Sequence, residues 1–210
     1  MLKGKRILVL APHTDDGELG CGGTIAKCIG LGCEVFYVSF STADESVPNH
    51  FPKNQLELEV REATRILGIP PKDLLIFNYQ VRKLNYVRQE ILEELIRLRP
   101  LVNPDIVFLP SSNDIHQDHL TIHQEGIRAF KQCSILGYEL IWNNLTFSTH
   151  CFIEISNADL EKKLNALRAY KTQEGKKYMR PEFIRSMATV RGTQIGVELA
   201  EAFEVIRLML

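Results

Sequence analysis

Over the first two-thirds of the chain, short continuous apolar runs alternate with stretches whose apolar positions recur at helical spacing. Ile7-Leu8-Val9-Leu10 stops at Ala11-Pro12 and predicts a strand over residues 6–10, buried on both faces. Residues 20–32 place Ile25, Ala26 and Ile29 at roughly helical spacing and end in glycine, which predicts a helix and its stop. Val35, Phe36, Tyr37 and Val38 predict a second strand over 34–40. Leu56, Val60, Ala63 and Leu67 form one stripe of a helix over 55–67, closed by Gly68 and Pro70. A short strand over 74–77, an amphipathic helix over 84–99 and a strand over 106–109 follow, the last ended by Pro110.

After about residue 132 the pattern blurs. Short strands are predicted over 140–142 and 152–155, and a helix over 159–170 with Asp159 near its start. Strands alternating with helices imply parallel pairing, because each crossover returns the chain to the same end of the sheet. Ligands of such sheets bind beyond the carboxyl ends of the strands, so chemistry is expected just after Leu10, Phe40 and Leu109. No internal repeat or linker divides the chain, and residues 1–210 read as a single domain.

Composition narrows the function classes. Lys+Arg 25 against Asp+Glu 26 gives a net charge of −1, which argues against nucleic acid or an acidic membrane surface as partner. With 45% hydrophobic and 24% charged residues, the chain is expected to be globular, and no apolar run reaches the length of a membrane span. Lys3, Lys5 and Arg6 before the first apolar run faintly imitate a signal peptide, but the run is too short and polar residues follow at once. Cys21, Cys28, Cys33, Cys133 and Cys151 are an odd set without a C-x-x-C pair, so reduced thiols and a cytoplasmic location are expected.

Two polar clusters stand where the chemistry is expected. His13-Thr14-Asp15-Asp16 follows the first strand, and adjacent carboxylates beside an imidazole call for a compensating cation. The bland alternative is that Thr14 or an aspartate caps the next helix, which leaves the histidine unexplained. Asp114-Ile115-His116-Gln117-Asp118-His119 follows the fourth strand, with His116 and His119 spaced to face one point from a helical turn. Asp118 is placed to hold a ring N–H and fix a tautomer. The alternative there is a polar helix start capped by Asp114 or Asp118, and His50, His123 and His150 are given no role. Together the clusters offer a His/Asp/His zinc site with an open position for water. Gly17 to Gly23 overlaps a dinucleotide-binding pattern, but Asp15, Asp16 and Glu18 would repel a pyrophosphate, and close helix–strand packing or a bend near the metal explains the glycines better.

His13-Thr14-Asp15-Asp16, Gly20-Cys21-Gly22-Gly23-Thr24 and His116-Gln117-Asp118-His119 resemble the motifs of the PIG-L/LmbE-like zinc-dependent de-N-acetylases. Supporting likeness runs through Lys163 to Gln173 and Ala200-Glu201-Ala202-Phe203, so it covers nearly the whole chain. The resemblance implies a Rossmann-like α/β three-layer sandwich, mostly parallel, with helices on both faces. It implies zinc, or ferrous iron in the cell, held by His13, Asp16 and His119. Asp15 would be the general base, with His116, oriented by Asp118 and favoured by it in a positive form, stabilising the oxyanion or assisting the leaving group. The implied substrate is an N-acetylated sugar, nucleotide sugar or glycoconjugate, and self-association into a homo-oligomer is left open. The sequence departs from the family pattern at Thr14, Gly17 and Leu56; some members carry a substrate-contacting arginine at the last position. Arg61 is out of register, and Arg82, after the third strand, is the candidate substrate contact. Tyr79 and Trp142 are expected in the core. A nucleotide-binding module without hydrolysis and a phosphoester hydrolase are the competing readings.

Overall fold

The computed structural model describes residues 2–209. Its strands are β1 (Arg6–His13), β2 (Glu34–Ser41), β3 (Leu74–Ile76), β4 (Ile106–Pro110), β5 (Ser134–Tyr138), β6 (Cys151–Glu154) and β7 (Ala200–Arg207). Its helices are α1 (Asp16–Gly30), α2 (Gln55–Leu67), α3 (Arg88–Val102), α4 (Gln117–Ala129), α5 (Asn157–Leu167) and α6 (Pro181–Thr193). Among the described residues the strands form one sheet in the order β3-β2-β1-β4-β5-β7-β6. β1 to β5 are parallel, and β7 runs antiparallel between β5 and β6.

β1 shows why the sheet lies inside. Ile7, Val9 and Ala11 pack on one face with residues of α1, α2, α5 and α6, while Leu8 and Leu10 pack on the other with residues of α3 and α4. Alternate side chains of a strand point to opposite faces, so a continuous apolar run serves two helical layers at once. The strand order reverses between β1 and β4, because the chain winds outward to β3 and then returns to the other side of β1. That reversal opens a crevice beyond the carboxyl ends of β1 and β4.

α1 packs unusually close to the sheet. A Cβ at Gly17 or Gly20 would collide with the rings of Tyr37 and Tyr138, so neither position admits a larger side chain while those rings stay in place. The helix is also broken, with Cys21 at φ −144° and ψ 24°. The groups released at the break find partners elsewhere: Leu19 O accepts from Lys163 Nζ at 2.7 Å, and Gly23 N donates to Glu201 Oε1 at 3.1 Å. Glu201 also accepts from Thr24 N at 2.7 Å and pairs with Lys163 at 2.6 Å. A buried ion pair from α5 and β7 thus restores both sides of an interrupted helical ladder.

Several boundaries differ from the sequence expectation. α1 begins at Asp16 rather than residue 20, and α3 begins at Arg88 after a short 3-10 turn over Leu84–Tyr86. Residues 140–142 form a turn, not a strand, while β5 lies just before them. α2 ends as expected on Gly68, whose φ of 98° is readily reached only without a side chain.

Candidate metal centre

His13 is the last residue of β1 and Asp16 the first of α1. Asp15 stands between them at the helix N-cap, but its side chain makes no capping bond. Asp16 Oδ2 instead accepts from the backbone N of His13 at 2.8 Å, which folds the turn back on itself. The peptide between them is pinned from below: Thr14 O accepts from the Tyr37 hydroxyl at 3.0 Å and from the Tyr170 hydroxyl at 2.7 Å. The same hydroxyls contact the carboxyl group of fully buried Glu18, whose pKa burial pushes up to about 8.

The second cluster enters from the β4–α4 loop. His116 is the N-cap of α4, and its Nδ1 accepts from Asp118 N at 3.2 Å. Neither Asp114 nor Asp118 caps the helix. Asp114 Oδ2 accepts from His119 Nδ1 at 2.7 Å. The Asp118 carboxylate accepts from His13 Nε2 at 2.9 Å, from Arg82 N at 2.6 Å and from Leu84 N at 3.1 Å. This corrects the expectation that the Asp118 side chain steers His116. Asp118 fixes a ring N–H as expected, but that of His13, and His116 is oriented by the Asp118 backbone.

The two clusters converge on one point. With Nε2 of His13 and Nδ1 of His119 occupied by carboxylates, the opposite nitrogens face each other at 3.2 Å. Asp16 Oδ2 lies 3.1 Å from His13 Nδ1 and 3.2 Å from His119 Nε2. Ligands about 2.0–2.1 Å from a tetrahedral ion stand roughly 3.4 Å apart, so this triangle has the dimensions of a first coordination shell. The group His13, His116 and His119, with ring nitrogens within 4.8 Å of one another, can also hold a metal.

The electrostatics ask for positive charge at this point. Burial disfavours a charged His13, but Asp16 and the bonds to Asp118 and Asp16 outweigh it and raise its pKa to about 9. Burial likewise opposes a charged His119, and Asp16 and Asp114 overcome it, raising the pKa to about 10. Asp16 is held well below the usual carboxylate range despite burial, by His119 and His13. Asp15 is pushed up to about 7 by burial and by Asp16. His116 is pushed down to about 4 by burial and by the charges of His119 and His13, so the expected positive form is not supported. A bound cation would take the place of the protons that the two inner imidazoles otherwise carry.

The trio lines a cavity of about 230 Å³ together with Asp15, His116, Arg82, Leu56, Trp142 and Tyr178. Arg82 reaches the rim from a backbone with φ 65°, and its guanidinium meets Ser46 Oγ at 2.9 Å. Leu56 does line the cavity, whereas Arg61 faces outward and pairs with Glu57 at 2.8 Å. His123 is buried and bonds the Pro110 carbonyl oxygen at 2.7 Å, away from the cavity lining. Sequence reading missed Tyr178, which sits in a loop without periodicity, and placed Trp142 in the core although it is 36% exposed and lines the cavity. Asp114 was visible in the second cluster, but nothing in the sequence pairs it with His119.

Residues 8–130, which carry both clusters, match the PIG-L family, described as GlcNAc-PI de-N-acetylase. The chain belongs to this family. With relatives that are deacetylases, this chain is an N-deacetylase. It is 27% identical over 227 residues to the diacetylchitobiose deacetylase of Thermococcus kodakarensis, covering 96% of this chain and 83% of that protein. Among solved structures, the conserved protein TT1542 from Thermus thermophilus superposes with a TM-score of 0.82 at 28% identity, covering 98% of this chain and 96% of that one. The 4-carboxy-2-hydroxymuconate hydratase GalB from Pseudomonas putida KT2440 shares the fold at a TM-score of 0.80 and 18% identity, covering 98% of both chains. A hydratase thus shares this fold, so the residues that carry out the deacetylation must be argued from the site rather than from the architecture.

Proposed function

We propose that this protein removes the acetyl group from a small N-acetylated sugar or sugar conjugate, and that His13, Asp16 and His119 hold the divalent cation that the reaction needs. The observation that carries this reading is the triangle of His13 Nδ1, Asp16 Oδ2 and His119 Nε2, with edges of 3.1, 3.2 and 3.2 Å. His116 fits a different place. Its Nδ1 already accepts a backbone N–H, which leaves a neutral ring with Nε2–H as a donor rather than a ligand. Two nitrogens and one carboxylate oxygen with an open side suit zinc in a hydrolase, and ferrous iron accepts the same donors. A cation bound there polarises an amide carbonyl and lowers the pKa of water.

The remaining steps belong to the chain itself. Asp15, uncommitted to helix capping and facing the cavity, takes the proton from the attacking water and passes it to the leaving nitrogen. His116 Nε2–H donates to the oxyanion as it develops. Asp118 acts through others: it aims His13 by holding Nε2, and it ties the 82–84 loop to the site. Arg82, at the cavity rim, contacts polar groups of the substrate. All five cysteines are free, which supports a reducing compartment, the cytoplasm; among the described residues no helix is long and apolar enough to cross a membrane.

The test combines metal analysis with an amine-release screen over N-acetylated sugars, nucleotide sugars and glycolipid headgroups. The expected result is one metal ion per chain and release of a free amino group from at least one sugar. Two ions per chain with phosphate release from a phosphoester would replace this reading with a phosphoesterase.

A further inference from the structure

Trp142 and Tyr178 reach the cavity from two loops that lie apart from the metal cluster: the turn after β5, and a 3-10 turn over Lys177–Met179 before α6. Their rings stack with centroids 4.2 Å apart and planes 19° from parallel. The tryptophan is not loosely placed. Asn144 Oδ1 accepts from Leu140 N at 2.8 Å, and Asn144 Nδ2 donates to Ser111 Oγ at 2.7 Å. Ile115 N donates to Asn143 O at 3.2 Å. These bonds lock the turn carrying Trp142 to the loop carrying His116, so the indole stands at a fixed place relative to the imidazoles. The cavity of about 230 Å³ therefore combines the ionic cluster with a fixed pair of aromatic rings in its lining. An indole this exposed, rigidly held and supported by a second ring is a surface built to be covered by a ligand.

We propose that Trp142, backed by Tyr178, is the platform on which the pyranose ring of the substrate lies, and that this platform selects sugars whose 2-acetamido group is equatorial. The inference rests on the deacetylase reading above and adds the ring subsite to it. A gluco- or galacto-configured pyranose carries a face of C–H bonds that packs on an aromatic plane. Its equatorial acetamide extends nearly in the ring plane. A ring lying flat on the indole keeps the acetamide in the plane of the wall, where turning the ring on that face can carry it to the cluster lining the same cavity. The manno epimer projects its acetamide perpendicular to the ring, away from that direction.

Trp142 is the chain's only tryptophan, so its fluorescence reports on this contact directly. The metal-loaded protein is titrated with methyl N-acetyl-β-glucosaminide and with its manno epimer, and acetate release is followed in parallel. We expect a saturable change in emission with the first sugar and at least a tenfold weaker response with the second. Trp142→Ala is expected to raise KM for the glucosaminide roughly three- to tenfold, the loss of one aromatic partner, with kcat nearly unchanged. Trp142→Phe should restore most of the KM. Emission that titrates in a protein releasing no acetate keeps the platform and overturns the proposed reaction. Acetate release with silent emission and an unchanged KM in Trp142→Ala overturns the platform, as does silent emission in a protein without acetate release. Equal responses to both epimers overturn the selection.

Discussion

His116 separates two descriptions of the site at the scale of single residues. It is close enough to His13 and His119 to be a third nitrogen ligand, yet its Nδ1 serves the first turn of α4. As an oxyanion donor its loss should lower turnover by about a hundred- to a thousandfold while the metal stays bound. His116→Ala is therefore expected to keep one ion per chain by mass spectrometry, and loss of stoichiometric metal would make it a ligand. Asp15→Asn should also retain the metal and lose roughly a hundred- to ten-thousandfold in rate, the contribution of a general base. Appreciable hydrolysis by that variant would remove Asp15 from the role. The identity of these residues was legible because each is chemically costly where it stands. Their pairing was not. A carboxylate one residue before His119 and two after His116 has no sequence mark that sends it to His13, whose backbone is 105 positions away. Tyr178 was invisible for a related reason, since a loop residue announces neither its direction nor its neighbour.

At the scale of elements, the break in α1 has the largest energetic consequence. Glu201 and Lys163 are both nearly buried, and each also satisfies backbone groups that the break releases. Removing one partner leaves the other charged and unpaired in a poorly hydrated place, at a cost of about 3–5 kcal/mol. For a chain of this size that corresponds to a fall in Tm of roughly 6–20 °C. Glu201→Ala is expected in that range by thermal denaturation, while Glu201→Gln should cost less because its amide oxygen still accepts from the helix. A shift below about 2 °C for Glu201→Ala would show that water replaces the carboxylate there. The same residue explains why β7 was not read as a strand. Glu201 is an inward-facing acid within an apolar run, so the alternation that marks a strand is inverted at one position. β5 was hidden by Gly137, where the strand passes so near Ser111 that a Cβ would strike backbone. β2 was legible to all but its last residue, whereas β1 runs on through Pro12 to His13, past the proline at which the expected strand stopped.

For the molecule as a whole, the winding of the sheet turns two distant sequence clusters into one site. His13 and His119 are 106 positions apart, yet the reversal of strand order between β1 and β4 sets their ring nitrogens 3.2 Å from each other. That placement was readable in outline from alternating strands and helices, because parallel sheets gather the ends of their strands on one rim. It also makes the proposed cation a cross-link between β1, α1 and α4, absent from the unfolded chain. Binding to the native state alone adds RT ln(1 + [M]/Kd), about 2.7 kcal/mol at a hundredfold excess over Kd, or roughly 5–10 °C in Tm here. The chelated protein should thus melt lower by that amount and recover on addition of zinc. Asp16→Asn keeps the shape of the side chain but removes its charge, and should lose most of the recovery. The decisive comparison is the zinc-induced shift itself, wild type against Asp16→Asn at equal metal concentration. Equal shifts in both would place the stabilising ion away from the triangle, and the site would then lose the property on which its proposed chemistry depends.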